Sequence, residues 1–189
     1  MDMPWLLSET TFTPADAATI TGVSPGLQRA WRMRRWLVAG SRARAVVTLS
    51  GVIELIVLKH CSDAKIGLET VKHALPAICA EAVIHLALMK ERWAYIGGDD
   101  TLGEFRKWAE PLEMRGAQYI YRMLDIAPDS TSRYLLIRRT EVRLLNDLND
   151  LMDEYPEEPG ILLDSWGIAR GLAKRTKREF FWIRKAQES

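Results

Sequence analysis

The residues best suited to chemistry in this chain are arginines that crowd into one short segment. Four of them stand with two tryptophans between Thr21 and Trp36, in the stretch TGVSPGLQRAWRMRRW, which contains no acidic residue. No Asp or Glu occurs between Val23 and Val47. The arginines of this region are Arg29, Arg32, Arg34, Arg35, Arg42 and Arg44. Because so many guanidinium groups cannot enter an apolar core without partners, the pattern indicates that something outside the helix receives them, and the alternative is a solvated helix face.

Histidine and cysteine supply the other candidate chemistry, which is metal binding or nucleophilic catalysis. These residues fall in one region: His60, Cys61, His73, Cys79 and His85. Their spacings match neither Cys-x-x-Cys nor His-x3-His, and their neighbours are apolar, which favours buried structural roles over zinc. Neither cysteine has a nucleophile motif around it, and His60 and Cys61 point to different sides of a helix. We therefore predict no catalytic residue, no metal site and no cofactor, and a protein that is not an enzyme.

Two short helices joined by a tight turn are predicted to position the arginines. Thr13 can cap the first helix, because proline follows it and a carboxylate stands in the first turn, and Gly22 should end this helix. Ser24 can cap the second helix, again with proline directly after it. In the second helix we expect Leu27 and Trp31 to face the core. A basic stripe then lies on the outer side: Arg29, Arg32 and Arg35.

The order and spacing of these residues resemble the N-terminal winged helix-turn-helix domain of MerR-type regulators. The resemblance covers FTPADAATITGVSPGLQRAWRMRRWLV and VVTLSGVIELIVLKHCSDAKIGLETVKHAL, roughly residues 12–75. In that family a Gly-Val-Ser-Pro turn precedes a recognition helix, an arginine-containing wing and two more helices. The resemblance implies that Gly22 to Pro25 form this turn, that Arg29 contacts phosphate, and that Arg42 and Arg44 lie on the wing.

Three features differ from the family pattern. Gln28 stands where a leucine is usual, Arg35 stands where a glycine is usual, and the wing lacks the usual tyrosine. Gln28 can face solvent or DNA with Leu27 in the core, or the helix can be slightly rotated. The family's long coiled-coil helix and effector-binding tail are not recognisable in this chain. The resemblance therefore implies DNA binding but not the family's promoter-untwisting mechanism.

The predicted DNA interface follows from the resemblance and from the basic stripe. A recognition helix lies in the major groove, with its N-terminal residues at the base edges and flanking side chains on phosphates. We expect Gly26, Gln28, Arg29 and Arg32 in the groove, where glutamine can pair with adenine and arginine with guanine. The other arginines should contact phosphates. The full predicted set is Ser24, Gly26, Gln28, Arg29, Arg32, Arg34, Arg35, Arg42 and Arg44.

The remainder of the chain is first apolar and then divided by polar turns. A helical region is predicted from Leu49 to Ile96, and its stretch 77–89 is apolar on nearly all sides, which is typical of a helix in a core or an interface. After the turn IGGDDTLG we expect strands at SRYLLIRR, GILLD and EFFWIRK and an acidic amphipathic helix at EVRLLNDLNDLMDEY. The segment RGLAKRTKREFFWIRK fits single-stranded nucleic-acid binding or, as we favour, a helix and strand with buried aromatics.

These elements predict a mainly α fold, in which an N-terminal winged helix-turn-helix is followed by a helical and α+β C-terminal module. The predicted divisions are residues 10–75 for the DNA-binding domain, 76–98 for the buried or interface helix, and 99–189 for the α+β module. We expect the α+β module to serve dimerisation or the binding of a partner or effector.

We therefore predict a sequence-specific, double-stranded-DNA-binding transcriptional regulator that acts as a homodimer or higher oligomer, with a protein partner for the C-terminal module as an option. Two alternatives stay open: an architectural, recombination-directing protein of the excisionase kind, and an antitoxin-type interaction module that regulates its own promoter. The formal net charge is +1, no apolar run reaches the length of a bilayer, and the N-terminus lacks a secretory signal. We expect no membrane partner and a cytoplasmic, nucleoid-associated protein of bacterial or phage origin.

Overall fold

The computed structural model describes residues 5–37, 46–89, 92–96, 132–138, 142–151 and 160–185. The helices are α1 (Pro14–Thr21), α2 (Pro25–Met33), α3 (Leu49–Asp63), α4 (Leu68–Lys72), α5 (Leu75–Ala87) and α6 (Ser165–Arg175). The strands are β1 (Trp5–Glu9), β2 (Trp93–Ile96), β3 (Tyr134–Ile137), β4 (Val142–Leu145), β5 (Ile161–Asp164) and β6 (Phe181–Lys185). A single 3-10 turn spans Leu148–Leu151 among the described residues. This is a mixed α+β fold in which helices predominate.

The two predicted N-terminal helices are confirmed, together with their caps. Thr13 Oγ1 accepts a hydrogen bond from Asp16 N at 3.1 Å, and the carboxylate of Asp16 accepts one from Thr13 N at 3.2 Å. These reciprocal bonds form a capping box at the start of α1, and they lower the pKa of Asp16. At the start of α2, Ser24 Oγ accepts from Leu27 N at 3.3 Å. The local sequence signals therefore set the helix boundaries.

The centre of the structure is formed by α3 and α5. In α3 every residue from Leu49 to Leu58 is buried except Ser50, and α5 is buried on nearly all sides. The helix α5 packs against α3 and α6. The carboxylate of Glu81 in α5 accepts a hydrogen bond from Ser132 N at 3.0 Å, which links this helix to the residues before β3. The predicted core position of the apolar stretch is confirmed.

Two small three-stranded sheets flank these helices. One has the order β1-β6-β2, with β1 antiparallel and β2 parallel to the central β6. The other has the order β4-β3-β5 and is antiparallel throughout. Apolar residues face one another across both strand pairs of the second sheet. Leu135 of β3 lies opposite Leu144 of β4 and opposite Leu163 of β5.

One hydrophobic cluster connects the N-terminal helices with the C-terminal part of the chain. It contains Phe12 and Trp31 from the first part and Leu135, Leu172 and Phe180 from the last part. The arginine-bearing helix is therefore anchored to a core that distant segments complete. The proposed division of the chain at residues 75 and 98 remains a prediction.

The C-terminal predictions were partly correct. The three predicted strands are confirmed as β3, β5 and β6, and the basic aromatic segment is a helix and a strand in which Phe180 and Phe181 are fully buried. The prediction of an acidic helix is wrong for the part of that segment which the structure describes, because β4 and the 3-10 turn occupy it. Cross-strand pairing of Val142 with Ile137 overrides the helical spacing of the leucines.

The strands β1 and β2 were not predicted. The helical region predicted up to Ile96 ends at Ala87, and Trp93–Ile96 pair with β6. The indole of Trp182 donates to the hydroxyl of Thr10 at 2.8 Å, which adds a side-chain link beside the pairing of β1 with β6. Over the described part of the chain, the helices are too short or too polar to cross a bilayer.

Candidate nucleic-acid interface

The turn between α1 and α2 comprises Gly22 to Pro25. Gly22 ends α1 in the left-handed backbone region at φ 73°, which glycine adopts without a clash because it has no side chain. Its N–H donates to Ala18 O at 2.8 Å. Val23 is buried, and its N–H donates to the hydroxyl of Thr21 at 3.1 Å. The turn is therefore tied to α1, and it fixes the direction in which α2 leaves.

Gln28 lies beneath this turn and not on the outer face of α2. It is 0% exposed, and its Nε2 donates to Pro14 O and to Val23 O, both at 2.9 Å. Leu27 is 40% exposed. The predictions of a groove-facing Gln28 and an inward Leu27 are therefore wrong. The physical reason is that the glutamine amide donates to two backbone carbonyls around the turn, which a leucine cannot do.

The orientation of α2 follows from its two buried residues. Gln28 and Trp31 share the inner face of the helix, with Trp31 only 3% exposed. The opposite face carries Arg29 and Met33, and Met33 is 80% exposed. Arg32 lies on the flank and is half-buried. The outer face of α2 thus combines one arginine with a large exposed apolar side chain.

The predicted DNA-binding residues fall into three groups. One group is exposed at α2 and the residues just after it: Ser24, Gly26, Arg29, Arg34 and Arg35. Arg32 is half-buried and Gln28 is buried. Arg42 and Arg44 lie outside the described residues, in the segment 38–45. We call Arg29, Arg32, Arg34 and Arg35 together the arginine surface.

The arginine surface has no carboxylate partner within the described part of the chain. The ion pairs among the described residues involve other side chains, for example Lys59 with Asp63 at 2.5 Å and Arg178 with Asp16 at 3.6 Å. The guanidinium group of Arg34 lies 5.0 Å from the centre of the Trp36 ring, which is a cation–π contact. The indole of Trp36 donates to the Glu69 carboxylate, so one acidic group lies beside this end of the arginine surface without forming an ion pair with it.

The end of α2 places Arg35 in a conformation that is unusual for arginine. Its φ is 58°, its N–H donates to Arg32 O at 2.9 Å, and Trp36 N donates to Trp31 O at 2.9 Å. These two bonds form a Schellman motif, in which glycine is the usual residue at the left-handed position. A side chain there costs about 1–2 kcal/mol. The same motif ends α3, where Lys65 has φ 59°.

We predict that Arg35→Gly and Lys65→Gly each raise the free energy of unfolding by about 1 kcal/mol, because each removes a left-handed side chain. Each variant removes one positive charge and one side chain from a left-handed backbone position, so the two variants serve as controls for one another. Denaturant unfolding measures the stability. If the arginine surface binds DNA, Arg35→Gly should weaken duplex binding clearly more than Lys65→Gly does. Equal weakening by both variants would contradict a role for Arg35.

A short β-bridge joins the chain before α1 to the chain before α3. Phe12 N donates to Val47 O and Val47 N donates to Phe12 O, both at 2.8 Å. Leu37 is 8% exposed and Val47 is 1% exposed. Both residues that flank the segment 38–46 are therefore buried. The two arginines predicted for a wing, Arg42 and Arg44, lie in this segment.

In the part of the chain that the structure describes, no three His, Cys, Asp or Glu residues come together in a way that could hold a metal ion. Burial raises the pKa of the Cys61 thiol, and burial with the nearby Glu54 carboxylate raises that of Cys79 further. Burial lowers the pKa of His85, whose ring packs edge-on against Trp166 at 5.2 Å. Thiols held in the protonated form are poor nucleophiles and poor metal ligands.

Two surface features near α1 and α2 were not anticipated from the sequence. Met33 was not considered, although its spacing from the inward Trp31 puts it on the outer face. Arg178 lies beside the start of α1 through its ion pair with Asp16. No sequence signal could have placed Arg178 there, because the contact joins segments at opposite ends of the chain.

The described residues form an α+β fold, and the arginine surface on its capped helix pair has no ion pair with a carboxylate among them. No protein-family model, curated protein or solved structure matches the chain.

Proposed function

We propose that the protein binds double-stranded DNA in a sequence-specific manner through α2 and acts as a transcriptional regulator. The observation that carries this proposal is the arginine surface, which lacks carboxylate partners in the described residues and extends from the outer face of a capped helix to its C-terminal end. Guanidinium groups without internal partners can neutralise phosphates and release counterions, which favours binding to a polyanion.

The geometry of the helix pair supports a double-stranded target. The helix α2 follows α1 across a tight turn, and Gln28 fastens this turn with two hydrogen bonds. A short helix held rigidly at the surface fits the major groove. Gly26 and Arg29 would face the bases and Arg32 would lie at the groove edge, whereas Arg34 and Arg35 would contact phosphates. Gln28 is no longer among the base-reading residues.

A dimer would place two copies of α2 about 34 Å apart on one side of the duplex, one helical turn of B-DNA. One copy of α2 offers few base contacts, so binding by a single chain would be weak. In this proposal the protein is cytoplasmic and associated with the nucleoid, and its C-terminal part serves assembly or the binding of a partner. Selection of bound sites from random duplexes tests the proposal, because a recovered repeat would reveal sequence, spacing and symmetry. Recovery of no preferred sequence would overturn it.

Arg42 and Arg44 provide a separate prediction for the segment between Leu37 and Val47. We expect that replacing both by alanine lowers affinity for all duplexes by a similar factor, since phosphate contacts carry no sequence information. The slope of log affinity against log salt should fall by about one for each lost contact. A salt titration in a mobility-shift assay measures both quantities. An unchanged slope would show that Arg42 and Arg44 do not contact DNA phosphates.

A further inference from the structure

A second group of cations lines a cleft beside α6, away from the arginine surface. Trp166, Arg170 and Lys174 follow at four-residue spacing, so they lie along one face of that helix. With Met89, Arg92 and Ala173 they line a cleft of about 270 Å³. This volume lies just below the roughly 300–1,000 Å³ of most ligand clefts, so an occupant would be a small molecule.

The charge of this cleft is uniformly positive among its described lining residues. Arg92, Arg170 and Lys174 are the ionisable residues of the lining. None of the three forms an ion pair with a carboxylate in the described part of the chain. Three neighbouring cations repel one another, and an anion between them would remove this repulsion.

Arg92 is fixed in place and still has an unused donor. Its Nη1 donates to Thr176 O at 3.0 Å, its Nη2 donates to Ala173 O, and its guanidinium group lies 5.7 Å from the centre of the Phe180 ring. Its Nε is buried and has no hydrogen-bond partner. Hydrogen bonds to two backbone carbonyls therefore hold the guanidinium group of Arg92 in one position at the wall of the cleft.

The other part of the lining is apolar. Met89 is partly buried against the core, and Trp166 is half-buried, with its ring edge-on to that of His85. Burial lowers the pKa of His85, which favours the uncharged imidazole behind the tryptophan. A large aromatic ring beside cations suits a ligand that is planar and apolar at one end and anionic at the other.

We propose that this cleft binds a small anion attached to a planar apolar ring, with an aryl phosphate as the representative chemistry. Arg170 and Lys174 bind the anionic group through charge-assisted hydrogen bonds, and the charge of Arg92 adds to the attraction. Trp166 and Met89 contact the ring. This site is separate from the proposed DNA interface, because none of its lining residues belongs to α1, α2 or the segment between Leu37 and Val47.

Calorimetric titration of the full chain with phenyl phosphate, in the absence of DNA, tests the proposal. We expect phenyl phosphate to bind at least tenfold more tightly than either inorganic phosphate or phenol, since neither satisfies both parts of the cleft. The double variant Arg170→Gln with Lys174→Gln should weaken phenyl phosphate binding at least tenfold. The control Arg175→Gln with Lys177→Gln removes the same charge from exposed positions outside the lining and should change affinity less than twofold.

Thermal unfolding of both double variants verifies that the fold is retained, and the single variant Arg170→Gln gives a second measurement with a smaller change in charge. Three results would each overturn the proposal. They are no binding of phenyl phosphate at millimolar concentration, equal binding of inorganic phosphate, and equal weakening by the control double variant. The titration contains no DNA, so its outcome is independent of whether α2 binds a duplex.

Discussion

Replacing Arg29 and Arg32 together by alanine is expected to weaken binding to a selected duplex about a hundredfold. Arg29 lies on the outer face of α2 and Arg32 on its flank, and neither has a carboxylate partner in the described residues. A good arginine–guanine pair contributes about 1–3 kcal/mol of discrimination, so the loss of Arg29 should remove most of the sequence preference, and the loss of Arg32 at the groove edge should lower the affinity further. The free energy of unfolding should change by less than about 0.5 kcal/mol, as for most surface substitutions.

The measurement is a mobility-shift or anisotropy titration at one fixed salt concentration, on the selected duplex and on a scrambled one. A matched control is Lys65→Ala with Arg175→Ala, which removes two exposed cations from the ends of α3 and α6. The control should weaken both duplexes slightly and equally. If the control and the α2 variant lose affinity to the same extent, the effect is one of net charge, and α2 is not the reading helix.

The second large effect is expected from substitutions of Gln28, which should lower the free energy of unfolding and leave the DNA sequence preference unchanged. Gln28→Ala removes two hydrogen bonds and leaves a cavity under the turn, so the free energy of unfolding should fall by about 2–3 kcal/mol. Gln28→Leu keeps most of the volume and removes both the Nε2 donors and the Oε1 atom, which is buried without a hydrogen-bond partner. Its loss should be smaller, about 1–2 kcal/mol, because the carbonyl of Val23 then lacks its partner.

Denaturant unfolding of both variants, with Met33→Ala as an exposed control on the same helix, measures these differences. Site selection with the folded Gln28→Leu protein should recover the same sequence as the unaltered protein. A variant of Gln28 that keeps full stability and selects a different base would contradict the buried position of this side chain.

The helix boundaries near the N-terminus could be predicted because their signals are local. The caps at Thr13 and Ser24, and the glycine that ends α1, act on residues only a few positions away. The rotation of α2 could not be predicted from spacing alone, since Leu27 and Gln28 are adjacent and a two-turn helix gives little periodicity. The decisive contact, from Gln28 to Pro14, joins two separate helices.

The difference between local signals and contacts between distant segments also explains which strands were predicted and which were missed. Strands β3, β5 and β6 are apolar runs bounded by polar residues, and they were recognised. Strands β1 and β2 form through pairing with β6, which lies far away in the sequence, and no local pattern indicates such a partner. The leucines of the predicted acidic helix fit both helical and extended spacing, and the neighbouring strand decides between them.

The order of strands in the first sheet has a consequence for how the chain reaches its native state during synthesis. The central strand, β6, leaves the ribosome after both strands that flank it, so β1 and β2 have no native partner until translation has passed residue 185. Such long-range pairing slows assembly and leaves apolar strand edges exposed in the nascent chain. Nascent chains halted before β6 should therefore be ready substrates for chaperones and proteases, even with α1 and α2 already formed.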